Sequence, residues 1–446
     1  MTRLSVCRAL LVCAVSAAGC AVPADSLVGG SGGAGGSSGT GGMLPPATGS
    51  GGSGGGSDGS GGTPATGGSA GADAGGGMAG SNSDAGPPPV SGDSTLPGLD
   101  PAGDGDRIIG PGYTADPLTG TPPAGTPRGR TINFTMTGAA STIYKGVRGA
   151  YSRSVSVYIP MQYVPGTPAP FMVTADAMGR PGLPNVIDTL VAAKKLPKIV
   201  VFFIANGGGD AVGSERGLEY DTVSGLYAEF VNTEVLPRGI MEVKMQANID
   251  LKLTDNPDGR GTMGGSSGGA CAVSMVWWRP DLFRRALTYS ATLVTQVPAG
   301  SPFPHGAWIY HDVDPYDMAK PNGLVVQHCE PVGGFKGNPG GKVLPCDTPL
   351  SQTACEAVTG CQWNTKVNQP IRVWLESGTG DLGSGGAPSG YRNFDLANQR
   401  MAAAMKMRGY HYHYDHAMGA GHVDGRAVSQ TLAEAMQWVW RGYPID

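Results

Sequence analysis

Glycine is distributed very unevenly along this chain, and that limits what it can fold into. Of its 446 residues 75 are Gly, and 30 of those fall between residues 20 and 106, a stretch without Lys, Arg or any aromatic residue. Runs such as Gly51-Gly52-Ser53-Gly54-Gly55-Gly56 offer no large apolar side chain to bury. Ordering them would cost backbone entropy with nothing to offset it. Residues 20–106 are therefore expected to form a disordered Gly/Ser/Ala/Pro-rich tether, with an r.m.s. reach of about 50 Å as a flexible coil. The folded part is expected to run from 107 to 446, which is long enough for one large α/β domain or two small ones. The net charge is −4, and the tether carries eight Asp and nothing basic, so the remainder is close to neutral. That balance lacks the concentrated basic field a nucleic-acid partner needs. No internal apolar run approaches the roughly 20 residues of a membrane span.

Residues 1–19 read as a targeting segment. Arg3 and Arg8 form a short positive region, and Ala9-Leu10-Leu11-Val12-Cys13-Ala14-Val15 is an apolar core too short for a permanent span. The end of the segment, Ala17-Ala18-Gly19-Cys20, resembles a bacterial lipoprotein signal, although Ala17 stands where that signal prefers Leu. The resemblance implies lipidation of Cys20, membrane association through that lipid, and a place at the outer membrane or cell surface. An ordinary secretory peptide is the alternative, and both export the protein.

Beyond residue 107 the apolar pattern alternates between strand and helix periods. Ser154–Pro160 alternates Val155, Val157 and Ile159 with Ser154, Ser156 and Tyr158, and Phe171–Ala175 reads as a second strand. Ile199–Ile204 is continuously apolar, as in a strand buried on both faces. Val223, Leu226, Tyr227, Phe230 and Val231 recur at helical spacing, with Pro237 expected to close that helix. Helices are also expected around Ala397–Arg408 and Val428–Val439. The alternation predicts an α/β fold, a mostly parallel sheet with helices on both faces.

The chemistry centres on Arg260-Gly261-Thr262-Met263-Gly264-Gly265-Ser266-Ser267-Gly268-Gly269-Ala270. A serine hydroxyl is a poor nucleophile unless a tight turn holds it beside a general base and backbone N–H groups receive the developing oxyanion. The G-x-S-x-G elbow does this by setting Ser between a strand and a helix, with Gly where a Cβ would clash. Two registers fit, Gly264-x-Ser266-x-Gly268 and Gly265-x-Ser267-x-Gly269. The first is preferred because it leaves Gly268-Gly269 to pack the new helix, and Ser267 then supplies an oxyanion N–H. A glycine-rich turn without chemistry is the competing explanation.

The surrounding blocks decide between them. Arg216–Asp221, Tyr227, Phe230, Glu234, Pro237, Gly264–Ala270, Pro280–Phe283, Ile371–Leu375, Gly378–Leu382, Asn398, Gly409-Tyr410, Gly421-His422 and Trp438–Trp440 resemble the enterochelin-esterase-like, esterase D branch of the α/β-hydrolases. Feruloyl and acetylxylan carbohydrate esterases belong to that branch. The resemblance implies an α/β-hydrolase fold and a serine esterase in which Ser266 is the nucleophile, His422 the general base and Asp381 the acid. Ile371–Leu375 is expected to be a strand whose loop begins near Glu376, and Glu376, nearer the strand end, is the alternative acid. A second oxyanion N–H is expected from Ala177 or Met178, where the family often has Asp-Gly and this chain has Asp176-Ala177. Arg216, Glu219, Tyr220 and Asp221 form either a pocket wall or a buried ion pair. The implied substrate is a small-molecule or carbohydrate-linked ester, with no cofactor. An acyltransferase of the same fold and a catalytically silent glycan-binding surface protein are the alternatives.

His411, His413 and Asp415 alternate along one strand face and are read as a solvated or hydrogen-bonded face rather than a metal site. His305 and His311 fall where pocket loops are inserted. Cys271 follows the elbow and is read as a small buried residue. Cys329, Cys346, Cys355 and Cys361 cluster in a Gly/Pro-rich insertion at about 329–369, and an even cluster in an exported protein implies two disulfides. The expected pairing is Cys329–Cys346 with Cys355–Cys361, in an insertion that overhangs the site; zinc binding is the alternative, disfavoured because the spacing lacks C-x-x-C pairs.

Overall fold

The structure is a computed structural model. It describes residues 101–445 except 180–181, 210–212, 297–305, 312–327, 332–351, 365–369 and 385–391. The targeting segment, Cys20 and the tether as far as residue 100 lie outside the described residues, as do His305 and Cys346.

Nine strands form one sheet: β1 Gly105–Ile109, β2 Arg130–Thr137, β3 Ser152–Ile159, β4 Phe171–Ala175, β5 Val200–Ile204, β6 Arg260–Gly265, β7 Arg285–Tyr289, β8 Arg372–Gly378 and β9 His411–Ala417. Their spatial order is β1-β9-β8-β7-β6-β4-β5-β3-β2. Neighbours are parallel from β1 across to β5, while β3 runs antiparallel to β5 and β2 to β3. Every residue of β4 to β8 is buried. Burial on both faces is what the continuous apolar run at 199–204 requires.

Six helices matter for the site: α1 Gly182–Ala192, α2 Glu215–Tyr220, α3 Leu236–Ala247, α4 Ser267–Trp278, α5 Phe394–Met407 and α6 Gly425–Val439. Residues of α2 to α5 pack into the core on one face of the sheet, and α1 and α6 supply the core on the other. This is the doubly covered, mostly parallel sheet that the alternating pattern predicts. Among the described residues no helix is long and apolar enough to cross a membrane.

Four local expectations need correction. The folded part begins before Arg107: Gly105 and Asp106 already belong to β1, and Asp104 lies 3.4 Å from Arg372 Nη2 and 2.7 Å from His411 Nδ1. Averaged composition assigned these aspartates to the tether, but they are counter-charges for the sheet. Pro237 does not end a helix. Leu226–Phe230 passes through a π turn at Val231–Val235 into α3, with Pro237 in its first turn. The proline has no N–H to donate and its ring would crowd the carbonyl four residues back, so the backbone widens there instead of stopping. Glu376 is inside β8 and not at the start of a loop.

The disulfide pairing also differs. Cys329 is bonded to Cys355, with their Cα atoms 5.5 Å apart. His328–Pro331 and Cys361–Asn364 form an antiparallel pair that places Cys329 opposite Trp363 and Pro331 opposite Cys361. The short helix Gln352–Glu356 brings Cys355, fully buried, against Cys329. Cys361 is therefore not closed onto Cys355, although it too is disulfide-bonded. Cys271 is a buried free thiol.

Candidate active site

Strands β4, β6, β7, β8 and β9 all end at one rim of the sheet, and the candidate residues leave from those ends. Ser266 is the single residue between β6 and α4, with φ 55° and ψ −131°. Its N–H donates to Tyr289 O at 3.0 Å, and its carbonyl accepts from Thr292 N at 3.0 Å and Gly269 N at 2.9 Å. The backbone at the turn is thus fixed from both sides. A Cβ at Gly264 would fall on the Gly268 carbonyl, and one at Gly269 would lie 2.9 Å from Ala291 Cβ. Gly264 is required by close approach of the first helical turn, and Gly269 by close approach of that turn to the segment after β7. Ser267 is buried as the first residue of α4, and its N–H has no acceptor among the described residues.

Asp381 follows β8 and is buried. Its Oδ1 accepts from Leu382 N at 2.7 Å and lies 2.6 Å from His422 Nδ1. A carboxylate at that distance fixes the proton on Nδ1, leaving Nε2 as the free acceptor. The His422 ring meets Phe394 edge-on, with centroids 5.0 Å apart. Its loop is tied down by Val423 N–H, which donates to Ser290 Oγ at 2.9 Å, and by Val423 Cγ1, which would lie 3.1 Å from a Cβ on Gly265. The loops carrying His422 and Asp381 therefore meet, and the residue after His422 packs against the end of β6 that leads into Ser266. No hydrogen bond joins Ser266 to His422; the side-chain partner of Ser266 Oγ is Thr292 Oγ1 at 3.5 Å.

Backbone strain collects at the same rim. Among the described residues seven other than Gly have positive φ, and five of them are Asp176, Ala177, Ser266, Ser290 and Val423. The left-handed region is costly for Ala and more so for a β-branched Val. Such outliers cluster where surrounding structure holds a site in place. The paired values at Asp176 and Ala177, 55° and 51°, also explain why Gly suits the second position.

The expected second oxyanion donor is not found at Ala177 or Met178. Ala177 N–H donates to Ile204 O and Met178 N–H to Ala175 O, both at 3.0 Å, so neither N–H is free. The first bond ties the left-handed turn after β4 to the end of β5 and the second closes that turn, neither of which the sequence reveals.

The Arg216–Asp221 block serves two ends. Arg216 grips Asp176 through Nη2 at 2.7 Å and Nε at 3.1 Å, and Asn206 Nδ2 donates to Asp176 at 2.6 Å. With Ala205 and Gly209 these three line a cleft of about 350 Å³. Asp176 Oδ2 would lie 3.5 Å from a Cβ on Gly268, so this polar cleft adjoins the start of α4. Glu219 instead forms a buried ion pair with Arg153 and accepts from Gly207 N at 3.1 Å. Tyr220 OH accepts from Asp176 N, and Asp221 from Gln296.

The alternating histidine face is occupied by β1 and the residues before it. His411 meets Asp104, His413 meets Gly103 O and Asp415, and Asp415 is held by Arg107 at 2.6 Å. Among the described residues no group of His, Cys, Asp or Glu is arranged to hold a metal. His311 is fully buried, with Nε2–H donating to Leu293 O at 2.8 Å, and does not open to a cleft. Ser290 and Asn206 were not singled out from the sequence. The available signal was a polar residue within two positions of the end of a buried strand, which is weak in a chain rich in Ser and Asn.

The chain matches a family described as "Putative esterase" over residues 150–436. No curated protein sequence matches it. Solved structures similar to it include a feruloyl esterase module from Clostridium thermocellum with sinapinate, at 15% identity, covering 74% of this chain and 94% of that one with a TM-score of 0.40. A ferulic acid esterase from Anaeromyces mucronatus shows 13% identity over 76% of this chain and 100% of its own, at TM-score 0.41. An enterochelin esterase from Shigella flexneri shows 17% identity over 72% of this chain but 59% of its own length, at TM-score 0.39.

Proposed function

The chain belongs to this esterase family and is a carboxylic-ester hydrolase, and on that premise we propose that it works through a Ser266–His422–Asp381 triad. The observation that carries the proposal is the 2.6 Å His422–Asp381 pair, borne by loops that meet beside the positive-φ elbow at Ser266. Ser266 Oγ attacks the ester carbonyl while His422 Nε2 takes its proton. Asp381 holds the imidazole and balances the imidazolium. The carbonyl oxygen becomes an oxyanion that accepts from the free N–H of Ser267. His422 returns the proton to the leaving alcohol, and water, activated by the same imidazole, releases the acid and restores Ser266.

The polar cleft of Asp176, Asn206 and Arg216 favours hydroxyl-rich alcohols, such as sugars of a polysaccharide side chain, as the group next to the ester. Lipidation of Cys20 and export complete the proposal and follow from the lipoprotein-like signal. A chromogenic ester panel from acetyl to octanoyl, with a feruloyl ester, tests the chemistry. Ser266→Ala is expected to lower kcat by at least about 10⁴-fold and to lose the fluorophosphonate adduct that wild type acquires. A labelled, fully active Ser266→Ala protein would remove Ser266 from the mechanism. Added sugar acceptors in the same assay report transfer in place of hydrolysis.

A further inference from the structure

Glu376 is buried to 0% exposure near the end of β8, and neither of its carboxyl oxygens has a hydrogen-bond partner among the described residues. Its surroundings are acidic. Asp415 stands in register beside it on β9, Asp381 follows in the next loop, and Asp424 and Asp395 approach from the starts of α6 and α5. Each neighbour has its own partner: Arg107 for Asp415, Arg426 for Asp424, Ser377 Oγ and His416 for Asp395, and His422 for Asp381. Tyr289, Tyr414 and Tyr113 are the other titratable groups in range. No guanidinium, ammonium or imidazole bonds to Glu376 among the described residues.

A carboxylate cannot be sustained there. Burial and the four neighbouring carboxylates push the Glu376 carboxyl well above the ordinary glutamate range, so it stays protonated. A neutral carboxylic acid carries an O–H donor, which a carboxylate lacks. Asp381 has the complementary deficit: Oδ1 receives two N–H groups, while Oδ2 is buried without a donor. Of the carboxylates around Glu376, Asp381 influences it most.

We propose that Glu376 is a positioning residue for the triad, a neutral acid whose O–H serves the Asp381 oxygen that His422 leaves unmet. The link closes by rotation of the Glu376 side chain or through one buried water of the kind that pairs orphaned polar groups. Glu376 transfers no proton in the reaction; it holds the carboxylate that holds the imidazole. This role rests on the triad proposed above and differs from that of the acid itself.

The test compares Glu376→Leu, Glu376→Gln and Ser266→Ala in the full chain, by kcat, KM and the pH profile of kcat/KM. Leu removes the donor, so kcat is expected to fall about tenfold at unchanged KM, the worth of one hydrogen bond to a charged group. The acid limb should move to higher pH, because an Asp381 with fewer donors holds the imidazolium more tightly. Gln keeps a neutral donor and is expected to restore kcat to within about threefold of wild type, with the wild-type limb. The protonated-carboxyl stretch in the infrared spectrum of folded wild type should lose intensity in Glu376→Gln, a readout that survives even if the Leu variant does not fold. Wild-type kcat and limb in Glu376→Leu, an acid limb moved to lower pH in Glu376→Gln, or an unchanged infrared band would each overturn the proposal. An active Ser266→Ala protein would sink the triad itself; an inactive one beside an unaffected Glu376→Leu would sink the role of Glu376 alone.

Discussion

His311 and Glu376 are both buried without charge, and they bias stability toward opposite ends of the pH scale. Burial lowers the His311 pKa to about 3, so between there and the unfolded histidine value the unfolded chain binds the extra proton. Its contribution is present above about pH 6.5 and lost on acidification, at up to about 1.4 kcal/mol per pH unit. Glu376 is raised, so the folded state holds the extra proton and its contribution is lost as pH rises above the unfolded glutamate value. His311→Gln is expected to flatten the acid side of a plot of Tm against pH, and Glu376→Gln the alkaline side. Parallel curves for variant and wild type would show that neither group is coupled to folding. Neither environment was legible in the sequence. His311 reads as a loop residue near a pocket, and a glutamate after Leu375 reads as a strand end, because a buried, uncompensated carboxyl is the exception in strands. Ser266, Asp381 and His422 were legible as candidates because motif, order and loop position agree.

The elbow shows why some elements could be read and others not. Strand β5 is a contiguous apolar run and β4 is apolar but for Thr174, and the sequence marks their limits within a residue or so. The turn after β6 is legible because only Gly can stand where the Gly268 carbonyl crosses. Gly264→Ala is accordingly expected to destabilise the protein by about 3 kcal/mol or more in urea unfolding, since the obstructing atoms are backbone and cannot yield. Gly421→Ala, with nothing within 4 Å of its Cβ, should stay within about 0.5 kcal/mol of wild type. Equal stabilities for the two variants would mean the elbow relaxes. The π turn before α3 was hidden because Pro237 signals a stop as readily as a first turn. The Cys329–Cys355 bond was hidden because four cysteines admit three pairings, and a strand pair decided among them.

At the scale of the whole molecule, composition sets the start of the folded part at Arg107, whereas β1 already begins at Gly105. Asp104 and Asp106 look like the end of an acidic spacer, yet Asp104 meets the buried Arg372 and His411, and Asp106 meets Tyr412 and Lys406. A chain beginning at Pro101 is expected to keep the thermal stability of the intact protein. One beginning at Arg107 loses Asp104 and the first residues of β1, leaving Arg372 with one counter-charge fewer, and should be less stable by about 2 kcal/mol or more. Identical melting of the two truncations would show that the leading strand is dispensable.

The direction of that leading strand separates the two rims of the sheet. β1 runs parallel to β9, so Gly105 sits at the edge where the parallel strands begin, and Ser266, Asp381 and His422 lie past the edge where they finish. The leading strand therefore enters the sheet at the rim opposite the one that carries the candidate catalytic residues.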